Sequence, residues 1–301
     1  MIWKFGYRLA KLIGVQNIEQ GDHYPNLPLP VKPEPVNTEP TPNDPPWGVP
    51  AALGVWVASV LFILFIPVFF LLPYLAMQKP PITESSQIVE FAKNDSTSIF
   101  LQILAVLPAH ILTIILAWIV ATRVRKYSFR NILGWQTGGF AWWYYVLILG
   151  GFFTLAILVN ALVPEQENDL IRMLQSSRSV VYLVAFVATF TAPLVEEVVY
   201  RGLLYSAFQR KFGVTRAFVV VTLMFAAVHV PQYWPSYSTI FLLGVLSLTL
   251  TAIRVKTNNL LPCIILHTIF NGFQSVMLIA EPYLKTSEVQ EQAAAILLLL
   301  K

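Results

Sequence analysis

Seven long apolar runs follow one another after residue 50, and they constrain the fold more than any other feature of the chain. They lie near 51–77, 99–121, 141–163, 180–208, 217–231, 237–253 and 259–280. A bilayer-crossing helix needs roughly 20 predominantly apolar residues. Inside lipid the backbone must satisfy its own hydrogen bonds, which a helix does within one segment. The pattern predicts an all-α, polytopic transmembrane helical bundle of about seven to eight helices. The fifth and sixth runs are short for a span, and the fourth is long. Composition agrees, with 56% hydrophobic and only 12% charged residues, against about 25% charged in a soluble domain.

The charges are placed as a membrane protein places them. Arg123, Arg125, Lys126 and Arg130 fall between the second and third runs, Arg210, Lys211 and Arg216 between the fourth and fifth, and Arg254 and Lys256 between the sixth and seventh. With Lys4, Arg8, Lys11 and Lys32 they put 13 cations on one side, against 6 on the other. The positive-inside rule makes that side cytoplasmic, with the N-terminus inside. The net charge of +4 is therefore a topology signal and not a nucleic-acid footprint. The single cysteine, Cys263, allows no intramolecular disulfide.

The organisation reads as a basic N-terminal segment (1–24), a proline-rich linker (25–50), a transmembrane domain (51–280, with the informative motifs in 180–280) and a tail (281–301). Residues 1–14 can form a short basic amphipathic helix on an anionic leaflet. The linker holds ten prolines, which favour an extended, semi-rigid tether. Ala293–Leu300 is too short to cross and is expected to dock at the interface.

Chemistry concentrates in Ala192-Pro193-Leu194-Val195-Glu196-Glu197-Val198-Val199-Tyr200-Arg201-Gly202. No other Asp or Glu occurs between residues 170 and 280. Charged groups inside a span are costly and mark functional sites. Helical spacing puts Glu197 and Arg201 on one face, with Glu196 about 100° round from Glu197. Two further constellations join them: Phe225-x-x-x-His229 on the fifth run and His267-x-x-x-Asn271 on the seventh. Counting about 1.5 Å per residue puts Glu196 roughly 21 Å from Arg210, His229 roughly 18 Å from Ala217 and His267 roughly 11 Å from Leu260. One pocket in the cytoplasmic half, open from the inside, fits those depths.

A carboxylate and an imidazole sharing a water can take its proton and aim it at a peptide carbonyl, and a second imidazole or an amide can steady the oxyanion. Plainer roles compete. His110, beside Pro108, reads as a helix-to-helix hydrogen-bonding group. Cys263 reads as a small buried residue, although it shares a face with His267. The acid pair with Arg201 can also be a structural ion-pair knot in a non-catalytic scaffold or immunity protein, or a relay in a proton-coupled transporter. Glu196, His229 and His267 are zinc-type ligands, but no His-Glu-x-x-His sequence is present, so a metal-free site is preferred.

The three motifs, in this order on successive spans, resemble the CAAX-protease and bacteriocin-processing (CPBP, or Abi) family, which includes the type II CAAX prenyl endopeptidases. The resemblance covers roughly residues 140–280. It implies a CAAX prenyl protease-like intramembrane fold of about eight helices. It implies Glu196 as the water-activating base assisted by His229, Glu197 as an orienting partner held by Arg201, and His267 with Asn271 as oxyanion stabilisers. Phe225 belongs to the second motif. The implied partners are membrane lipids and a protein or peptide substrate, lipidated in the prenyl-protease branch. Zinc stays open as a cofactor.

Overall fold

The computed structural model describes residues 39–80, 82 and 84–284. The predicted helix at 1–14, residues 25–38 of the linker and the predicted interfacial helix at Ala293–Leu300 lie outside these. The described chain is helical throughout, apart from a short Thr41–Asp44 bridge. Its elements are α1 (Val49–Ala76), α2 (Ser85–Asn94), α3 (Ser96–Leu104), α4 (Val106–Thr122), α5 (Phe129–Leu133), α6 (Trp142–Leu162), α7 (Asp169–Ser176), α8 (Arg178–Phe212), α9 (Val214–Tyr233), α10 (Tyr237–Thr257) and α11 (Leu261–Leu284). Seven are long and apolar enough to cross a membrane, counting α3 and α4 as one: α1, α3–α4, α6, α8, α9, α10 and α11. The protein is thus a multi-pass integral membrane protein.

Every apolar run of the sequence becomes one of these spans. The two short runs reach 20 and 21 residues because their helices continue into polar ends, with Arg254 and Lys256 in the last turn of α10. Outward faces are apolar: Phe69, Ile157 and Leu223 are each more than 60% exposed, as a lipid-facing surface requires.

Arg123, Arg210 and Arg254 gather at one end of the bundle, where residues 40–47 lie across the helix ends. Arg254 Nη2 donates to Pro42 O (2.9 Å), and Asn43 Nδ2 donates to Asn258 Oδ1 (2.8 Å). Arg210 donates to Pro45 O and Arg123 to Pro46 O. Trp47 is 3% exposed and donates its indole N–H to Leu203 O (3.0 Å). The last part of the proline-rich stretch is therefore packed onto the bundle. Pro50 then enters α1 in its first turn, where a missing N–H costs nothing.

The main core fills this basic end. Val198, Leu203, Leu204 and Tyr205 of α8 pack on Ala52 and Val55 of α1, Ala117 and Ala121 of α4, Leu133 of α5 and Leu260. Gly134 ends α5 at φ +70°, and its O accepts from Leu260 N at 2.8 Å. A Cβ at Gly134 would stand 2.9 Å from Asn259 Cα, so only glycine permits this approach. The contact fixes the start of α11 against the end of α5. At the opposite end Thr239 Oγ1 donates to Glu165 Oε1 (3.1 Å), and Gln166 N to Ser236 Oγ (3.4 Å), tying the α6–α7 and α9–α10 connections together.

Candidate active site

The acid pair sits on α8 between two π-helical segments, Val187–Thr191 and Val198–Leu204. Pro193 accounts for the first. It has no N–H for Thr189 O, and its ring crowds that carbonyl. The helix widens, and Ala192 N–H bonds Val187 O, five residues back. The Ala188 carbonyl released here is taken by another span, Asn271 Nδ2 donating to it at 2.8 Å, and Ser275 Oγ donates to Ala185 O one turn earlier (3.3 Å). In the second segment Tyr205 N–H reaches Tyr200 O, which leaves Arg201 O for Arg254 Nε (3.2 Å) and Leu203 O for Trp47. Single π turns within α-helices occur mostly at functional sites.

Glu197 and Arg201 have fully buried side chains, with Nη1 2.8 Å from Oε1. Arg201 Nη2 also donates to Ser247 O and Oγ (3.0 Å each), and Nε to Thr251 Oγ1 (3.4 Å). Its guanidinium lies 4.5 Å over the Phe225 ring, a cation–π contact. Phe225 in turn meets Tyr200 edge-on (5.1 Å), and Trp56 Nε1 donates to Tyr200 Oη (3.0 Å). This shell holds Glu197 Oε1 toward His267, whose Nδ1 is 2.9 Å away. Glu197 Oε2 is buried and has no hydrogen-bond partner.

Glu196 points the other way, into a cavity of about 610 Å³, with its side chain 23% exposed. Oε1 is 3.8 Å from His229 Nε2, and Oε2 is 3.8 Å from His267 Nε2. Both distances exceed a direct hydrogen bond. The imidazole protons are fixed from behind. His229 Nδ1 lies 2.7 Å from Phe225 O, which can only accept, so Nδ1 carries the proton. His267 Nδ1 faces the Glu197 carboxylate in the same way. In the neutral rings both Nε2 atoms are bare acceptors, so they and Glu196 converge on one place that only a donor can fill. A water seated there can donate to Glu196 and to one imidazole.

The structure therefore brings Glu196, Glu197, Arg201, Phe225, His229 and His267 into one contiguous cluster, with Asn271 on the cavity wall. One Asn271 N–H is already occupied by Ala188 O. His110 also lines the cavity while bonding Thr191 of the neighbouring span (2.9 Å). Cys263 is fully buried, with Sγ 3.3 Å from Leu250 O, and does not line the cavity. Glu196, His229 and His267 are donor types that zinc accepts, but no group of three or more His, Cys, Asp or Glu among the described residues is arranged to hold a metal ion. Ser247, Thr251 and Thr222, which cradle Arg201 or link to its cradle, were not singled out in the sequence. The four-residue spacing of Ser247 and Thr251 within an apolar run was the available signal.

Cavity-lining residues come from the half of the bundle away from the basic end: Val187 to Tyr200 of α8, Phe225 to Tyr233 of α9, Thr239 to Leu246 of α10. The rim includes Glu165 at that far end and, on α1, the exposed Ile63 and Leu64. The basic half is filled by core and by residues 40–47.

Residues 178–273 match the family model described as type II CAAX prenyl endopeptidase Rce1-like. The chain carries a domain of that family. The match spans α8 to α11 and so contains all three motifs, while α1 to α7 lie outside it. Neither the curated proteins nor the solved structures give a match to the chain.

Proposed function

We propose that this protein is an intramembrane endopeptidase that hydrolyses peptide bonds with a water activated by Glu196 and His229. The observation that carries the reading is the convergence of Glu196 with two Nε2 acceptors, each imidazole oriented from behind by a separate partner. That arrangement has no use in a structural knot, which needs Glu197 and Arg201 alone.

In this scheme the water donates one proton toward Glu196 or His229 as its oxygen attacks the substrate carbonyl. His267 takes up a proton at Nε2 from solution before the carbonyl is attacked and keeps it through the step, so that it donates to the developing oxyanion while Glu197 stabilises its positive charge from the Nδ1 side. Asn271 keeps one N–H for the same purpose. The proton taken from water then passes to the leaving amine. Arg201 keeps Glu197 ionised and oriented and touches no reacting atom. The side chains supply this chemistry without a metal.

The substrate is a peptide or protein segment entering an apolar cavity that reaches both the far end of the bundle and the α1 flank. That second opening suits a lipidated or membrane-embedded segment. The side from which substrate enters follows from the orientation of the basic end, which cysteine labelling reads directly. The test is incubation of purified protein with a peptide library. New cleavage products that vanish in Glu196→Gln support the proposal, and products that persist in that variant contradict it.

A further inference from the structure

We propose that His110 is a substrate-binding residue whose Nε2 accepts a hydrogen bond from a backbone N–H of the peptide in the cavity. The proposal rests on the endopeptidase reading and adds a contact from α4, a span outside the matched residues 178–273.

His110 is only 6% exposed, yet it lines the same cavity as Glu196. Its Nδ1 lies 2.9 Å from Thr191 Oγ1. That hydroxyl donates to Val187 O at 3.2 Å, a carbonyl in the first π-helical segment. A carbonyl cannot donate, so the hydroxyl proton points to Val187, and the hydroxyl lone pair receives Nδ1–H. The neutral ring is thereby held with Nε2 bare. Among the described residues Nε2 has no hydrogen-bond partner, and it keeps accessible surface on the cavity side.

His229 and His267 hold their Nε2 atoms 3.8 Å from Glu196, whereas His110 makes no hydrogen bond or ion pair with it. With no partner in the protein among the described residues, Nε2 is free to accept a donor that the occupant of the cavity brings. An extended peptide brings an N–H with each residue, and an apolar cavity leaves those groups unsatisfied unless a wall acceptor meets them. His110 thus fixes the depth and register at which the scissile carbonyl meets Glu196.

The test uses the full-length protein in detergent with Glu196→Gln, so that binding is read without turnover. The probe is a ten-residue peptide of Leu, Ala and Phe, blocked at both ends and bearing a fluorophore. A companion series carries one N-methylated amide at each position. Adding His110→Phe is expected to weaken binding of the parent peptide about 3- to 10-fold, the worth of one hydrogen bond. One N-methylated peptide should lose the same factor with His110 present and nothing further with Phe. In the otherwise wild-type enzyme, His110→Phe should raise KM by a similar factor and leave kcat within about threefold.

Should His110→Phe fail to fold, Thr191→Val releases the tautomer while keeping the ring, and the same amide position should lose its selectivity. Unchanged binding of the parent peptide in His110→Phe, or N-methyl effects equal in both proteins, would overturn the proposal. A wild-type protein that binds the peptides but cleaves none would sink the endopeptidase reading alone, because the N-methyl scan still decides on His110.

Discussion

His267 Nδ1 lies 2.9 Å from Glu197 Oε1, the oxygen that Arg201 Nη1 grips from 2.8 Å. One buried carboxylate therefore joins the ion pair to the imidazole that faces the cavity. Glu197 is the hinge between structure and chemistry here: Arg201 fixes Glu197, and Glu197 fixes the tautomer of His267.

Arg201→Ala should damage folding as well as rate. It leaves Glu197 buried without a counter-charge, and losing one partner of a buried pair costs on the order of 3–5 kcal/mol. Arg201→Lys should rescue little, since an ammonium cannot reproduce the planar fork that reaches Glu197, Ser247 and Thr251 together. Thermal melting in detergent checks both. A Lys variant as stable as wild type would show that charge alone suffices.

Trp47→Ala tests the packing of residues 40–47 on the basic end. The indole is buried in the core around α8 and bonds Leu203 O, and deletion of a buried Trp typically costs about 3–5 kcal/mol. A lowered melting temperature is expected, with cleavage per folded molecule reduced less than tenfold. No change in melting would mean that this stretch adds nothing to stability.

Single cysteines at Ser128 and Ser86, in a Cys263→Ala background, should react with a membrane-impermeant maleimide from opposite sides. Both positions are exposed and lie at opposite ends of the bundle. If the basic end is cytoplasmic, Ser128 labels only after the membrane is opened and Ser86 labels in intact cells. The reverse pattern would place the cavity rim on the cytoplasmic side.

Chelation separates the two mechanisms that the family resemblance admits. Activity should survive dialysis against EDTA, because the proton chemistry is assigned to Glu196 and the imidazoles. Stoichiometric zinc that leaves with activity on chelation, and restores it on return, would overturn the metal-free assignment.

The fold was legible because lipid imposes a length rule, and seven apolar runs obeyed it one for one. Helical spacing also announced Glu197–Arg201, and the order of Glu196-Glu197, His229 and His267 pointed to their meeting. The contact of Leu260 N with Gly134 O, which fixes the start of α11, was not legible, because no periodicity reveals it. Nor did Pro193 announce the π-helical segments, although its missing N–H explains the first of them once the bonding is seen. His110 was read as a helix-to-helix bond, which it makes to Thr191. That its other face lines the cavity depended on packing between spans far apart in sequence.

The most direct test of the central claim compares cleavage rates and melting temperatures for wild type, Glu196→Gln, His229→Ala, the double variant and His267→Ala. If Glu196 and His229 share one water, the first two single variants and the double should be about equally inactive, since groups that act as a unit are far from additive. His267→Ala should lose about 100- to 1000-fold, as removal of one oxyanion donor does. Melting temperatures of the Glu196 and His229 variants should stay close to wild type, because neither side chain belongs to the buried pair. Glu196→Gln and His229→Ala proteins that cleave as fast as wild type, while melting lower, would contradict the account and leave the cluster a structural knot.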